Sequence, residues 1–566
     1  MDTSSLSSLD SDTPQGLEAA QRADSVRAVS RAATVTRTRT VTSLASTVSR
    51  GVRSARQYVE QARLDDLQTP REALQGCDTV DLEDAIRIAT NRSERAGPEA
   101  QLAPRDERPD LPPLDQGYSW AICGAVFTMM LATWGANGCY GVFLNFWLQN
   151  DTFSGSSATD FALIGSLVLA LAQALAPLAQ MASAIFGKKV VMLSGVVLQS
   201  AGYLLASFSK KLWQLYLTQG VLVGFGFALV FNPAIVIFPQ WFDKRRGLAS
   251  GIIVSASGIA GVAFSLGSQQ IINQTGSPAW AQRMLAIFSV VANTAAAFVL
   301  KYRVPSQRLR TRHEIITRFN VLFNVKVVKL PQVHLLTLWF VLVLSCYIMA
   351  LFSLSAFSTF VGLTSTQGSH VTAIFNGCQA IGRFMIGISA DYVGRVNLAV
   401  VLTFNMVVLI FAMWINAMTA PVVFAYAVLS GLTFGVASTL NQPLLADSVA
   451  PELFPSAWSF QNFWMGVFTV FCEVVALKLR DMSLDRPFIK AQIFCGCFAF
   501  AGFCSIVPIR EWKIRKMLYA RQEALEEVLD QQKDSQEFEK RRETYEALLQ
   551  RGAGAYLARL FYPVRA

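Results

Sequence analysis

The 566-residue chain is 52% hydrophobic and only 16% charged, with a mean hydropathy of +0.37. That is too apolar for an ordinary soluble domain, in which about a quarter of the residues carry charge. Its formal net charge of +10 does not point to a nucleic-acid partner, because the cations sit in loops and tails, where membrane topology and anionic headgroups account for them.

Residues 1–114 are rich in Ser, Thr, Arg and Ala and poor in aromatics. Such a segment buries too little apolar surface to offset its chain entropy, so a disordered N-terminal tail is expected. The opening MDTSSLSSLDSD has neither the basic start nor the apolar run of a secretory signal, and its acids argue against a mitochondrial presequence. Uncharged runs of membrane-crossing length then recur. They cover approximately 120–148, 161–186, 190–208, 212–238, 247–272 and 284–300. Six more follow, at about 333–360, 371–390, 398–417, 421–445, 457–477 and 491–508.

The pattern predicts an all-α membrane protein with twelve transmembrane helices in two six-helix bundles, 115–300 and 333–509. A middle loop, 301–332, separates them, and a charged tail, 510–566, ends the chain with an expected surface helix. The middle loop holds Lys301, Arg303, Arg308, Arg310, Arg312, Arg318, Lys326 and Lys329 against a lone Glu314. This excess sets the loop, and with it both termini, on the cytoplasmic side. Lys210 and Lys211, and the basic excess near Arg480, run against that bias.

The halves also echo one another. Gly220 and Gly224 in span four correspond to Gly431 and Gly435 in span ten at an offset of 211, and Pro233 to Pro443 at 210. The ends of spans two and eight, Phe186–Lys189 and Tyr392–Arg395, match at a similar offset. Two parallel six-helix repeats are a transporter arrangement. Both prolines are expected to kink their helices.

The stretch QWFDKRRGLASGIIVSASGIAG places Lys244, Arg245 and Arg246 ahead of a helix with small residues at Gly247, Gly251 and Ser255. Small-xxx-small faces let helices approach closely in lipid, either as a static contact or as a surface that slides. Trp241, Phe242, the basic cluster and Leu248-Ala249-x-Gly251 resemble the span-five motif of the monocarboxylate-porter family of the major facilitator superfamily. Asp115, Gly117, Tyr118, Ser119 and Trp120 resemble that family's motif ahead of span one, with Gln116 inserted. Gly387, Asp391, Gly394 and Arg395 resemble the superfamily's cytoplasmic loop motif. The equivalent loop after span two keeps Gly187, Lys188 and Lys189, with Ala184 where an acid is usual. The resemblance covers about 115–510, and the Ser/Thr/Arg-rich tail is similar to that of fungal members.

Arg383, deep in span eight, is the leading candidate for substrate contact, because an intramembrane Arg is expensive unless it faces a cavity and a guanidinium holds a carboxylate bidentately. A structural Arg paired with a helix end or a distant acid is the alternative. Asn376, Gln379 and Arg383 share one helix face at i, i+3 and i+7. The resemblance implies anion binding at Arg383. It also implies an Asp one turn earlier and a Lys in span one, and here Gln379 and the Asn137-Gly138 pair stand instead. Glu473 is the carboxylate well inside a span, a candidate proton carrier or an interfacial partner of Lys478. Asn137, Tyr140, Asn232, Asn441, Gln442, Gln461 and Asn462 are candidate midplane polar groups, with Trp134, Trp147, Tyr347 and Trp464 as flat apolar walls.

Cysteine and histidine carry no further chemistry in this reading. The nine cysteines are odd in number and all but Cys77 lie in apolar runs, as buried small hydrophobes do. The three histidines form no metal-ligand spacing, and no Walker loop appears. The expectation is therefore a secondary active transporter with no cofactor, moving a small organic acid or weakly acidic metabolite, with or without protons. Alternatives are an exporter of a secondary metabolite in the same fold, or a non-transporting membrane sensor. The plasma membrane is the expected location and the vacuolar membrane the alternative.

Overall fold

The computed structural model describes residues 112–303, 325–479, 483–531, 536–550 and 552–562, apart from Asp151, Ser154 and Phe561. The expected disorder of 1–111 and most of the middle loop lie outside the described residues. Every regular element among those described is helical. With each interrupted helix carrying one label, the membrane body consists of α1 (Tyr118–Trp147), α2 (Thr159–Ala174 with Ala176–Phe186), α3 (Lys188–Ala206), α4 (Leu212–Gln240), α5 (Arg246–Thr275) and α6 (Ala279–Val299). Then come α7 (Pro331–Phe360), α8 (Ser365–Val393), α9 (Arg395–Trp414), α10 (Ala420–Ser448), α11 (Phe454–Lys478) and α12 (Ile489–Gln531).

Ten of these are long and apolar enough to cross a membrane, and the bent α2 makes eleven. The twelfth, α11, is 25 residues long. The protein is thus an all-helical membrane protein with two six-helix bundles.

Local chemistry sets the ends. Ser157 caps α2 and Asp160 returns the bond to the Ser157 backbone, while Thr364 and Gln367 form the same reciprocal box at the start of α8. The helical ladder is interrupted at places other than Pro233 and Pro443. Pro233 and Pro443 both sit inside continuous helical segments. Instead α2 bends by 49° at Leu175, beside Pro177, whose missing N–H and ring disrupt the ladder. α10 is interrupted at Phe434–Gly435, and α1 carries a π-helical turn, Leu131–Gly135. The last span also differs from expectation. α12 runs through Pro508 to Gln531 as one helix, so no break separates span from tail at 509.

The C-terminal residues include two further helices, α13 (Gln536–Leu549) and α14 (Ala553–Leu560). Arg559 of α14 donates to the Leu548 and Gln550 carbonyls at the end of α13, a cation at a helix C-terminus.

The small-residue stripe of α5 meets α8. A Cβ on Gly251 would lie 2.7 Å from the Arg383 carbonyl oxygen, and one on Gly387 would lie 2.6 Å from that of Gly247. Gly258 faces Ala380 in the same way. The two helices touch backbone to backbone, and the contact joins the first half of the chain to the second.

Candidate substrate site and inter-bundle latch

Arg383 is buried at 6% exposure. It sits where α8 meets α5, and its guanidinium donates to Ser257 Oγ and, at 3.4 Å, to the Val254 carbonyl. Its Nε is buried without a partner, and it makes no ion pair among the described residues. The Arg383 stem runs along the break in α10: a Cβ on Gly435 would stand 2.8 Å from Arg383 Cγ. Glycine is required there because the side chain fills the space. The Tyr347 phenol of α7 lies against the guanidinium, donates to Gln379 Oε1 at 3.1 Å, and stacks on Phe375 with the rings 11° from parallel. Gln379 Nε2 is also unpartnered. A buried cation, an open amide and two flat rings from α7 and α8 thus converge beside Ser257 of α5 and the break in α10.

The other candidates divide. Asn441 is 2% exposed and both of its amide atoms lack partners. Its neighbours on α10 fix it at the join between the halves, since the Thr439 carbonyl accepts from Ser250 of α5 and Gln442 donates to the Ile235 carbonyl of α4. Gln461 donates to the Leu336 carbonyl but leaves Oε1 open. Asn462 is spent on the Trp458 carbonyl within its own helix. Asn232 is fully used: its Nδ2 donates to Ala172 and Ala228 carbonyls, and its Oδ1 accepts from Trp458 Nε1. It ties α4 to α2 and α11 rather than offering a free group.

Asn137 and Tyr140 do not join the Arg383 group. They line a small pocket inside the first bundle with Tyr203, Gln219 and Leu285, and Tyr140 donates to the Phe161 carbonyl. Asn376 lies half-buried on the same continuous helix α8 as Gln379 and Arg383. Trp147 packs on Phe143, Phe153 and Phe161, and Trp464 is 41% exposed. Trp134, with an unpartnered Nε1, packs edge-on against Phe231. The side chain of Glu473 lies outside the described residues.

At one end of the body the motif residues form a latch. Asp391 accepts from the Gly247 and Leu248 amides at 3.0 and 2.7 Å, placing a carboxylate on the N-terminus of α5. Arg395 bonds Asp391 at 3.1 Å and Asp447 at 2.9 Å. Arg246 reaches Asp447 at 2.6 Å, and Lys513 reaches the same carboxylate at 3.7 Å. Arg395 also donates to the Asp243 carbonyl.

Asp447 lies two residues beyond 445, the expected end of span ten, and so outside the sequence pattern that marks site residues. An acid closing an otherwise acid-free span, opposite two basic motifs, was the available signal.

The motif ahead of α1 belongs to the same device. Asp115, at φ 59°, accepts from three successive amides, Asp243, Lys244 and Arg245, at 3.0–3.3 Å. Tyr118 and Trp120 pack on Trp241 and Phe242 with centroids 5.4 Å apart. Two motifs more than a hundred residues apart in the sequence are one physical unit. Lys244 and Arg245 contribute their backbone amides to it, whereas Arg246 contributes its side chain.

A profile of the Major Facilitator Superfamily matches residues 122–471. The chain belongs to that superfamily. It is 37% identical over 470 residues to the uncharacterized transporter ESBP6 of Saccharomyces cerevisiae, covering 81% of this chain and 70% of that protein. It is 34% identical to the probable transporter MCH2 of the same yeast, over 72% and 85%. Monocarboxylate transporter 3 of Rattus norvegicus is 26% identical over 66% of this chain and 75% of its own length. Among solved structures, the human organic anion transporter MFSD10 superposes with a TM-score of 0.54 at 14% identity, covering 69% of this chain and all of that one. This facilitator is a monocarboxylate-porter-like member of the superfamily, multi-pass and of a family of transporters.

Proposed function

We propose that the protein is a secondary active transporter of a small organic acid or weakly acidic metabolite, working by alternating access. The observation that carries this reading is Arg383, a buried guanidinium with an open Nε–H and no carboxylate partner among the described residues. A buried charge without a counter-ion is costly unless an anion completes it. An organic carboxylate supplies both the charge and the acceptor geometry. Tyr347 and Phe375 supply a flat wall for its apolar part, and Gln379 and Asn441 supply open amides.

In this proposal the latch end is cytoplasmic, as the basic middle loop favours, and both termini share that side at the plasma membrane. The latch then closes the inner side, so the described conformation is closed inward. Gln379 stands where the family's acid is expected and cannot titrate, which leaves Glu473 as the proposed proton group.

The test is uptake of monocarboxylates and larger organic acids into proteoliposomes, with and without a pH gradient. Arg383→Lys keeps the charge but loses the fork, and Arg383→Ala loses both. The expected result is anionic flux reduced by about two orders of magnitude in Arg383→Ala, the effect of losing a charge-assisted pair of roughly 3 kcal/mol. Anionic flux at the wild-type rate in Arg383→Ala would overturn the assignment. Ligand binding with no flux in the wild type would identify a sensor instead.

A further inference from the structure

We propose that Lys188, Lys189 and Lys301, at the joint ends of α3 and α6, bind the phosphate headgroup of an anionic membrane lipid. The argument begins with the repeat. Gly187 and Gly394 occupy the same turn of the two halves, at φ 86° and 100°. Each is followed by the first cation of a helix, Lys188 for α3 and Arg395 for α9. Arg395 is neutralised by Asp391, four residues earlier, and by Asp447. Four residues before Lys188 stands Ala184. The first half keeps the turn and the cation but has no acid at that place.

Nothing else in the described residues supplies it. Lys188 Nζ is buried without a hydrogen bond, 4.3 Å from the centroid of the Tyr302 ring. Lys189 lies 5.5 Å over Phe298, and Lys301 5.1 Å over Tyr118. The three ammonium groups are close enough for Lys189 and Lys301 to act electrostatically on Lys188, and none has a carboxylate within ion-pair distance among the described residues. Aromatic faces position an ammonium but do not cancel its charge. Lys189 and Lys301 are exposed, and Lys188 is half-buried with its Nζ covered.

The surroundings select a lipid over a soluble anion. Phe186, Val190 and Phe298 are 59, 57 and 57% exposed beside the lysines, an apolar wall of the kind acyl chains cover. Basic residues at a membrane surface draw anionic lipid by about five-fold each.

Native mass spectrometry of the full chain in detergent tests this, with phosphatidylserine, phosphatidylinositol, phosphatidylcholine or inorganic phosphate added separately. The anionic lipids are expected to be retained over phosphatidylcholine, and each of Lys188→Ala, Lys189→Ala and Lys301→Ala to weaken them about five-fold. The Lys210→Ala/Lys211→Ala variant, altered at the far end of α3, keeps wild-type binding. Equal retention of phosphatidylcholine, unchanged binding in the triple alanine variant, or equal loss in the Lys210/Lys211 control overturns the site. Inorganic phosphate binding as tightly as the lipids overturns the lipid assignment. Because the readout is lipid retention, it stands or falls independently of Arg383 and transport.

Discussion

Replacing Asp447 with Asn opens the latch at its centre. In the described conformation Asp447 bonds Arg246 at 2.6 Å and Arg395 at 2.9 Å, with side-chain exposures of 16, 8 and 13%. Lys513 adds a third cation at 3.7 Å. Asparagine keeps the shape and loses the charge, leaving two guanidinium groups largely buried beside a neutral amide. Removing one partner of such a pair costs about 3–5 kcal/mol, and partial exposure of this site argues for the lower end, about 3 kcal/mol. For Arg246, whose pair with Asp447 is the one that spans the two halves, that penalty falls on the closed form alone, because separation lets water reach the guanidinium. Arg395 stays beside residue 447 in the second half. The equilibrium between closed and open should therefore move by roughly two orders of magnitude.

Ser250, 1% exposed and bonded across the join to Thr439, is the reporter. In a Ser250→Cys background a polar maleimide should label slowly, and Asp447→Asn should speed labelling by up to about 100-fold. An unchanged labelling rate in a protein that still elutes as a single species would falsify the latch.

Two further substitutions probe neighbouring parts. Gly387→Ala sets a Cβ 2.6 Å from the Gly247 carbonyl oxygen, a backbone clash worth about 1–3 kcal/mol. It should raise Ser250→Cys labelling and slow transport together, and close packing of α5 on α8 is refuted if neither changes. Asp115→Asn weakens the charged acceptor of three amides, with a loss of about 1.5–3 kcal/mol. Its melting temperature should fall by several degrees while substrate KM stays at the wild-type value. A changed KM with unchanged melting would place Asp115 in substrate handling instead.

Lipid made the spans legible, because a helix in hydrocarbon must be apolar over its length whatever it packs against. The same uniformity hid the interruptions. The break in α10 falls at Gly435, where the Arg383 stem crosses it, and no local signal in the sequence marks that crossing. Pro443 gave a local signal and lies in continuous helix. The candidate site was legible as Arg383, Gln379, Tyr347 and Asn441 taken singly, but not as a group, and Phe375 and Ser257 carried no signal. Asn232, Asn441 and Asn137 look alike as single amides in apolar runs, yet one is fully bonded, one is fully open and one lies in another pocket. Which of these an amide becomes depends on the carbonyls opposite it, and those belong to other helices. The motifs were legible as residues but not as partners: Asp115 and Trp241 were read as separate signatures, and Asp447 was passed over.

The open and closed features of the seam bear on one another. Within the closed arrangement Asn441 leaves both amide atoms unpartnered, and Gln379, Gln461, Thr439 and Trp134 leave one each. A buried unpartnered polar atom costs about 1–3 kcal/mol, and native interiors hold few of them. Those of Asn441 and Thr439 lie where the halves meet and that of Gln379 beside Arg383, so the closed form carries a cost at this place in its interior. At its rim the same form is stabilised by Asp391 on the α5 amides and by Asp447 between two arginines. Separating the halves reverses both terms: the Arg246–Asp447 pair and the bonds from Asp391 to the α5 amides part, and the open amides at the seam meet water. Opposed contributions of similar size leave a small net gap, and a small gap is the condition for a ligand to move the equilibrium, since it can shift two states only by its difference in affinity between them. An apolar seam under the same latch would hold the halves shut against any substrate of ordinary affinity.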